Sequence, residues 1–184
     1  MSSFRPLALA SLSALAALSL AACKKDTVVA KDESVESVAR KVAASDIKPL
    51  PGRWESTMKL AKIDMPGLPP EAREAMNQQM GAARTATTCL TPEQAANPNA
   101  DFFQKGAENC KYDRFAMTGG KIDAVMTCTQ DSTAIKMSMA GSYSETAYDI
   151  KVRSEGEMEP GMPMAMEMTV ASRRVGDCTG SEDK

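Results

Sequence analysis

The fold of this chain is set by the segment from Cys110 to Cys128, which reads CKYDRFAMTGGKIDAVMTC. Two extended runs flank Thr118-Gly119-Gly120, and a glycine pair between such runs is typical of a β-hairpin because hairpin turns require positive φ. The sequence therefore predicts an antiparallel hairpin that carries one cysteine in each arm.

The length of the turn determines which residues of this hairpin face each other. A three-residue turn pairs Met117 with Lys121, and counting outward along both arms then places Cys110 directly opposite Cys128. Cysteines that face each other across two antiparallel strands are close enough to form a disulfide. This register therefore favours a Cys110–Cys128 bond.

A two-residue Gly-Gly turn gives a second register with better apolar pairs. It sets Met117 beside Ile122, but it places Cys110 opposite Thr129. A β-bulge between residues 109 and 113 would reconcile the apolar pairs with the disulfide, because one extra residue shifts the register by one position.

The chain contains five cysteines. We assign Cys23 to a lipid anchor, as argued below, which leaves an even number: Cys89, Cys110, Cys128 and Cys178. In an exported chain this predicts two structural disulfides, since there is no C-x-x-C pair and no histidine to complete a metal site. The hairpin favours Cys110–Cys128 and leaves Cys89–Cys178 as the second bond.

Strand patterns continue on both sides of the hairpin. Apolar and polar residues alternate from Trp54 to Ala61, Arg84 to Leu90 is a second strand candidate, and proline and acidic residues at Pro70-Glu71 begin a short helix to about Met80. The remaining strand candidates are Lys111 to Met117, Lys121 to Gln130, Ala134 to Ser142, Ala147 to Glu155 and Pro163 to Val175. We predict a mainly β fold, a curled antiparallel meander sheet or partly open β-barrel of about seven strands with one short helix and two disulfides.

The first residues have the pattern of an export signal. Arg5 and the amino terminus are positive, and the uncharged segment from Leu7 to Leu20 is too short for a transmembrane helix of about 20 residues. It ends in Leu20-Ala21-Ala22-Cys23, which resembles the lipobox of bacterial lipoproteins, in which the cysteine is acylated after cleavage. The alternative is an ordinary secretory signal cut after Ala21 or Ala22.

This resemblance predicts where the protein resides. We expect a lipid-anchored protein on the periplasmic side of the cell envelope, with the membrane as its partner through the acyl chains of Cys23. Lysine follows this cysteine where envelope lipoproteins retained at the inner membrane often carry aspartate, so we expect the outer membrane. The sequence identifies no protein partner.

The same patterns divide the chain into four parts. Residues 1–22 form the signal peptide, 23–50 an acylated N-terminus and flexible tether, 51–180 the β-rich disulfide-linked domain and 181–184 a tail. Within the tether, Val35, Val38 and Val42 recur at helical spacing after Ser34, which predicts a weak helix. The alternative is that this helix packs as a regular part of the domain.

The composition excludes several classes of function. The chain has 22 basic and 24 acidic residues and a net charge of -2, which argues against nucleic-acid binding. It contains no histidine, so histidine-dependent catalytic triads and histidine-ligated zinc are excluded. There is no glycine-rich phosphate loop and no nucleophile elbow. We therefore predict no catalytic residues, no enzymatic activity and no cofactor.

Methionine is the unusual component, with 14 residues. Met162, Met164, Met166 and Met168 alternate and so share one face of a strand. Thioethers are soft ligands for Cu(I), whereas methionine also fills irregular cores, and the alternation is what a buried strand face requires. We favour core or pocket lining, with soft-metal binding or oxidant scavenging as alternatives.

A curled sheet with flexible apolar side chains could also hold an apolar molecule. The residues expected to line such a pocket are Trp54, Met58, Met126, Met137, Met139, Ile150, Met164 and Met166. Three hypotheses follow: a non-catalytic envelope binding or structural module, a methionine-rich protein that handles Cu(I) or oxidants, and a carrier of an apolar small molecule.

Several short motifs occur together in a fixed order along the chain. They lie at Pro51 to Glu55, Met65 to Pro70, Thr88 to Glu93, Asn109-Cys110, Met126 to Cys128 and Arg174 to Cys178. In that order, and with the four cysteines, they resemble the domain-of-unknown-function family 3617. The resemblance implies a secreted or lipid-anchored envelope protein of Gram-negative bacteria with no established activity, and it carries over no catalytic residue.

Overall fold

The computed structural model describes residues 26–96, 108–130, 133–159 and 161–182. Three helices lie in these ranges: α1 (Val35–Ala43), α2 (Pro70–Met80) and α3 (Pro92–Ala96). The strands of the same ranges are β1 (Val28–Ser34), β2 (Gly52–Asp64), β3 (Arg84–Leu90), β4 (Cys110–Thr118), β5 (Lys121–Gln130), β6 (Thr133–Tyr143), β7 (Ala147–Glu159) and β8 (Met162–Gly176).

The strands form one antiparallel sheet in the order β1-β4-β5-β6-β7-β8-β2-β3. Neighbours β4 to β8 follow each other in the chain, which is the predicted meander, while β2 and β3 add to the far side of β8. The mainly β fold is confirmed. Within the described ranges the sheet has eight strands instead of about seven, three helices instead of one, and stays open between its edges, β1 and β3.

The central hairpin has the bulged register. Gly119 and Gly120 both have positive φ, at 56° and 74°, and form a two-residue turn that pairs Met117 with Ile122. The register then shifts between Tyr112 and Arg114, so one extra residue lies in β4 and Cys110 faces Cys128. The bulge thus allows the apolar pairing and the disulfide to coexist, which was one of the predicted alternatives.

Both predicted disulfides are present. Cys110 is bonded to Cys128 within the hairpin, and Cys89 is bonded to Cys178. Cys89 lies near the end of β3, and Cys178 follows the end of β8. Strand β2 lies between β3 and β8 in the sheet, so the second disulfide links the edge strand β3 to β8 across β2.

The sheet has one apolar and one polar face, because side chains alternate along each strand. On the apolar face, α1 packs against β1 and β4 and forms the main core. The buried members of this core are Val28, Ala30, Val35, Val38, Val42, Cys110, Tyr112, Phe115 and Ala124. The core therefore lies at one side of the sheet, beneath a single short helix.

The segment predicted as a flexible tether is ordered from β1 onward, so this prediction is wrong for residues 28–43. Strand β1 pairs with β4, and Ser34 caps α1 by accepting a hydrogen bond from the Ser37 N–H at 3.2 Å. The valine stripe of α1 is narrow, but Tyr112 and Phe115 provide the apolar surface against which it packs. Helix α1 therefore packs as a regular helix of the domain, which was the alternative interpretation of this segment.

Helix α2 covers part of the edge of β2. It begins at Pro70 and ends at Met80, as predicted, and its Asn77 side chain bonds to the backbone of Ile63. The Asn77 carboxamide oxygen accepts the Ile63 N–H at 2.7 Å, and its NH2 group donates to the Ile63 carbonyl at 3.0 Å. The amide thus satisfies backbone groups that no strand of the described chain pairs on that side of β2.

The predicted signal peptide at residues 1–22 and the acylation site Cys23 lie outside the described residues. Across the described ranges, none of the helices combines the length and the apolar character required to cross a membrane.

Candidate functional site

The apolar face of the sheet has a covered half and an open half. Helix α1 covers β1, β4 and β5, whereas the apolar side chains of β6, β7, β8 and β2 continue beyond it. We call this open half the methionine face. It consists of Met58, Leu60, Met137, Met139, Ile150, Val152, Met164, Met166, Met168 and Val170.

Strand register arranges these side chains in rows across the sheet. One row runs from Met139 to Val152 and on to Met168 and Leu60, each opposite the next. Directly opposed residues have Cβ atoms about 4.5–5.5 Å apart, so side chains in a row are in contact distance. This row is apolar throughout, whereas the next row places the buried Ser154 between Met137 and Met166. The methionine face is therefore mainly apolar.

This surface is accessible to solvent. Met58 is 51% exposed, and the other members of the methionine face are half-buried. Along β8, the members from Met164 to Val170 lie within seven residues, and the six steps of roughly 3.3 Å between them cover about 20 Å. The open half is thus a strip long enough to contact a small elongated molecule.

An aromatic pair closes one end of the strip. Trp54 is only 5% exposed and stacks with Tyr148 at a ring-centroid distance of 6.2 Å. The Trp54 indole N–H donates to the Leu50 carbonyl at 3.0 Å, which fixes the ring. Beside it, the hydroxyls of Ser56 and Ser172 form a hydrogen bond of 2.7 Å, and Ser172 is buried. The Trp54 indole and these two hydroxyls therefore already have hydrogen-bond partners.

The structure brings the predicted pocket residues to one face. Met126 of β5 lies opposite Met137 and packs against the core, so it joins the covered half to the methionine face. Trp54 closes the strip at its end. The predicted pocket did not include Leu60, Val152 and Val170, although strand alternation places them on the same faces as Met58, Ile150 and Met168, two positions earlier in each strand.

The four methionines considered as soft-metal ligands alternate along β8. Met162 is exposed and lies at the beginning of the strand, while Met164, Met166 and Met168 belong to the methionine face. Among the residues that the structure describes, no cluster of three or more histidine, cysteine, aspartate or glutamate side chains could hold a metal ion. Thioethers are thus the soft donors that this face offers.

The polar face carries ion pairs both between neighbouring strands and within β7. Arg114 bonds to Asp123 at 2.8 Å, and Arg153 bonds to both Glu155 and Glu167. The hydrogen bond from Arg153, together with its charge, lowers the pKa of the Glu155 carboxyl. These side chains surround a shallow depression of about 300 Å³ above Ser138 and Ala140. Because these charged side chains are exposed, this face is a solvated surface.

In the part of the chain that the structure describes, an open antiparallel sheet, two disulfides and the core helix α1 define a mainly β, disulfide-linked domain. The sequence profile described as "Protein of unknown function (DUF3617)" matches residues 49–178. The chain belongs to this family. The family match begins after β1 and α1, although both contribute to the core. No curated protein and no solved structure matches the chain.

Proposed function

We propose that the chain is a lipid-anchored, non-catalytic protein of the periplasmic side of the cell envelope that binds an apolar, chain-shaped molecule. The methionine face is the binding surface. The observation that carries the proposal is a strip of half-exposed apolar side chains that α1 leaves uncovered and that Trp54 closes at one end. Exposed apolar surface of this kind is costly unless a partner or ligand covers it.

The dimensions and chemistry of the strip favour an acyl chain as the ligand. The hydrocarbon core of a bilayer is about 30 Å thick, so one acyl chain extends about 15 Å, and the strip offers about 20 Å along β8. Methionine side chains are unbranched and flexible, and they adapt to a ligand without a fixed shape. The strip presents no charged side chain to the ligand along its length.

The sequence supports the location. A positive amino terminus, a short apolar segment and a cysteine after Leu20-Ala21-Ala22 form the pattern of a lipoprotein signal. Two disulfides fit an oxidising compartment. We place the anchored protein at the outer membrane in preference to the inner membrane, since lysine follows the predicted acylated cysteine.

The single tryptophan provides a direct test of ligand binding. A soluble domain that begins at Lys24 is titrated with a fatty acid that carries bromine at the end of its chain. Bromine quenches indole fluorescence at short range, so a ligand that occupies the strip as far as Trp54 lowers the emission. We expect saturable quenching, and quenching that stays linear with concentration contradicts the proposal.

A pair of variants on neighbouring residues serves as the control. Met58→Lys places a charge on the methionine face at an exposed position, and Thr57→Lys places the same charge on the opposite face. We expect Met58→Lys to weaken fatty-acid binding at least tenfold, while Thr57→Lys binds as the unmodified domain does. Equal binding by both variants excludes the methionine face as the site.

The lipid anchor has its own test. Radioactive palmitate is expected to label the full chain in cells and to leave a Cys23→Ala variant unlabelled. Equal labelling of the two forms contradicts the anchor, and it leaves the binding experiment on the soluble domain unaffected.

The alternating methionines of β8 favour a second candidate, the binding of Cu(I) or the interception of oxidants. Titration of the soluble domain with reduced copper ion tests metal binding, and Met166→Leu keeps the apolar volume while it removes a thioether. We expect the variant to bind copper more weakly if this function holds. Binding no tighter than micromolar by the unmodified domain contradicts it.

A further inference from the structure

Only four residues separate Cys23 from the first strand. Strand β1 begins at Val28, and the Thr27 hydroxyl already bonds to the Thr118 hydroxyl at 3.0 Å. Fully extended, the chain from Cys23 to Thr27 spans at most about 14 Å. By comparison, the 15 residues of β8 span about 50 Å. With an anchor at Cys23, the distance between the membrane and this end of the sheet is therefore much shorter than the domain itself.

Hydrogen bonds identify the surface at this end. From Thr118, the β4–β5 turn leads to Gly120, whose carbonyl accepts the Tyr143 N–H at 2.9 Å. The adjacent β6–β7 turn contains Glu145, whose carbonyl accepts the Leu50 N–H at 2.8 Å. We call this continuous surface the anchor rim. It consists of Thr27, Thr118, Gly119, Gly120, Lys121, Tyr143, Ser144, Glu145 and Leu50.

The chemistry of the anchor rim suits lipid headgroups. Leu50 is 42% exposed, and Tyr143 is a half-buried aromatic residue, a type enriched at membrane–water interfaces. Lys121 and Glu145 are both at the surface, so the charges of the rim are mixed. Neutral hydroxyls and glycines fill the space between them. This combination fits a zwitterionic headgroup layer better than a strongly anionic one.

We infer that the anchor rim rests on the headgroups of the membrane that holds the acyl chains of Cys23. The two turns then face the lipid, and the opposite end of the β4–β5 hairpin, with Cys110 and Cys128, points away from it. This inference rests on the acylation of Cys23 proposed above. The domain then contacts the membrane in one orientation and does not move freely on a long tether.

Two lysines of the same hairpin report the orientation. Lys121 lies on the anchor rim, Lys111 lies at the other end of β4 about 23 Å away along the strand, and both are exposed. The acylated full chain is reconstituted into phosphatidylcholine vesicles with a minor share of phosphatidylglycerol, and a water-soluble amine reagent modifies exposed lysines. The soluble domain without Cys23 is the reference.

We expect vesicle-bound protein to show a modification rate at Lys121 at least threefold below that of the reference, with Lys111 unchanged. If Lys121 reacts as fast as in the soluble domain, or if Lys111 is the protected residue, the inference is wrong. Mass spectrometry of peptides from both proteins measures the two rates in one sample.

A linker insertion tests the cause of the protection. About 20 glycine and serine residues inserted after Lys25 add roughly 25 Å of flexible chain without altering the described fold. We expect Lys121 to regain the rate of the soluble domain while the protein stays anchored. Protection that persists with the long linker means that the tether does not set the orientation, which overturns the inference.

Flotation of the vesicles separates this inference from the proposed function. If the protein floats with the vesicles and Lys121 remains reactive, the anchor holds and the seated orientation fails. If the protein does not float and carries no acyl group, both the anchor and the inference fail.

Discussion

At position 141 the sheet has no room for a side chain. A Cβ atom on Gly141 would lie 2.0 Å from the carbonyl oxygen of Asp149 and 2.8 Å from the Cα atom of Ile150, both in the neighbouring strand β7. Real side chains essentially never approach backbone so closely. Glycine at this position therefore allows the backbones of β6 and β7 to approach each other closely, a role that glycine often has inside strands.

Replacement of this glycine is expected to destabilise the domain. Gly141→Ala forces two strands apart, and we expect the free energy of unfolding to fall by about 2–3 kcal/mol, as in overpacked cores. Denaturant unfolding measures the change. Gly67→Ala is the matched control, since its Cβ meets nothing within 4 Å. If the two variants are equally stable, the close approach at residue 141 is not a constraint.

Burial of Tyr112 predicts how stability depends on alkaline pH. The ring is 2% exposed and packs edge-on against Phe115, and burial raises the pKa of its phenol above the ordinary value. The folded state therefore keeps the proton that the unfolded chain loses near pH 10, so stability declines as the pH rises through about 10. We expect a shallower decline in Tyr112→Phe, measured by denaturant unfolding between about pH 9 and 11. An identical slope contradicts the assignment.

Among the elements, β1 and α1 differ most from the sequence prediction. Local patterns correctly indicated β3, α2 and the β4–β5 hairpin, because alternation, proline and glycine act over a few residues. The stripe of Val35, Val38 and Val42 is also visible locally, but its packing partners Tyr112 and Phe115 lie about 75 positions later in the sequence. A local pattern carries no information about so distant a partner.

The candidate site also combines features that local sequence patterns predict with features that depend on distant strand pairings. Alternation along the chain suffices to place Met164 and Met166 on one face of β8, whereas Leu60 joins them only through the pairing of β2 with β8. That pairing includes a register shift between Leu60 and Lys62, which reverses the face of every residue beyond it. A bulge between strands so far apart in the chain leaves no local signal in the sequence.

Removal of β1 and α1 is expected to unfold the domain. A chain that begins at Pro49, where the family match begins, lacks the strand and helix that bury Tyr112 and Phe115. We expect it to lose the cooperative thermal transition and to bind a hydrophobic dye, whereas a chain that begins at Asp26 unfolds cooperatively. A cooperative transition in the shorter chain means that the remaining strands fold without α1.

For the molecule as a whole, the Cys89–Cys178 bond is the main covalent constraint. It joins residues 89 positions apart, and closure of so long a loop stabilises a protein by about 4–5 kcal/mol through the entropy of the unfolded chain. It also fixes β3, whose one partner strand among the described residues is β2.

Loss of this disulfide is therefore expected to destabilise the domain strongly. We predict that Cys89→Ala with Cys178→Ala lowers the free energy of unfolding by about 4 kcal/mol, measured by denaturant unfolding without reductant. Both side chains lie at least partly at the surface, so little packing is lost with them. A loss below about 1 kcal/mol would show that the native sheet does not depend on the bond.

The amide of Asn77 has a consequence for contacts between molecules. An unpaired strand edge is a template on which another chain can add. Along β2, Asn77 occupies the place that a neighbouring backbone would take, since it accepts from and donates to the same residue, Ile63. One side chain of α2 thereby blocks the addition of a foreign strand at the part of β2 that lies beyond its pairing with β3.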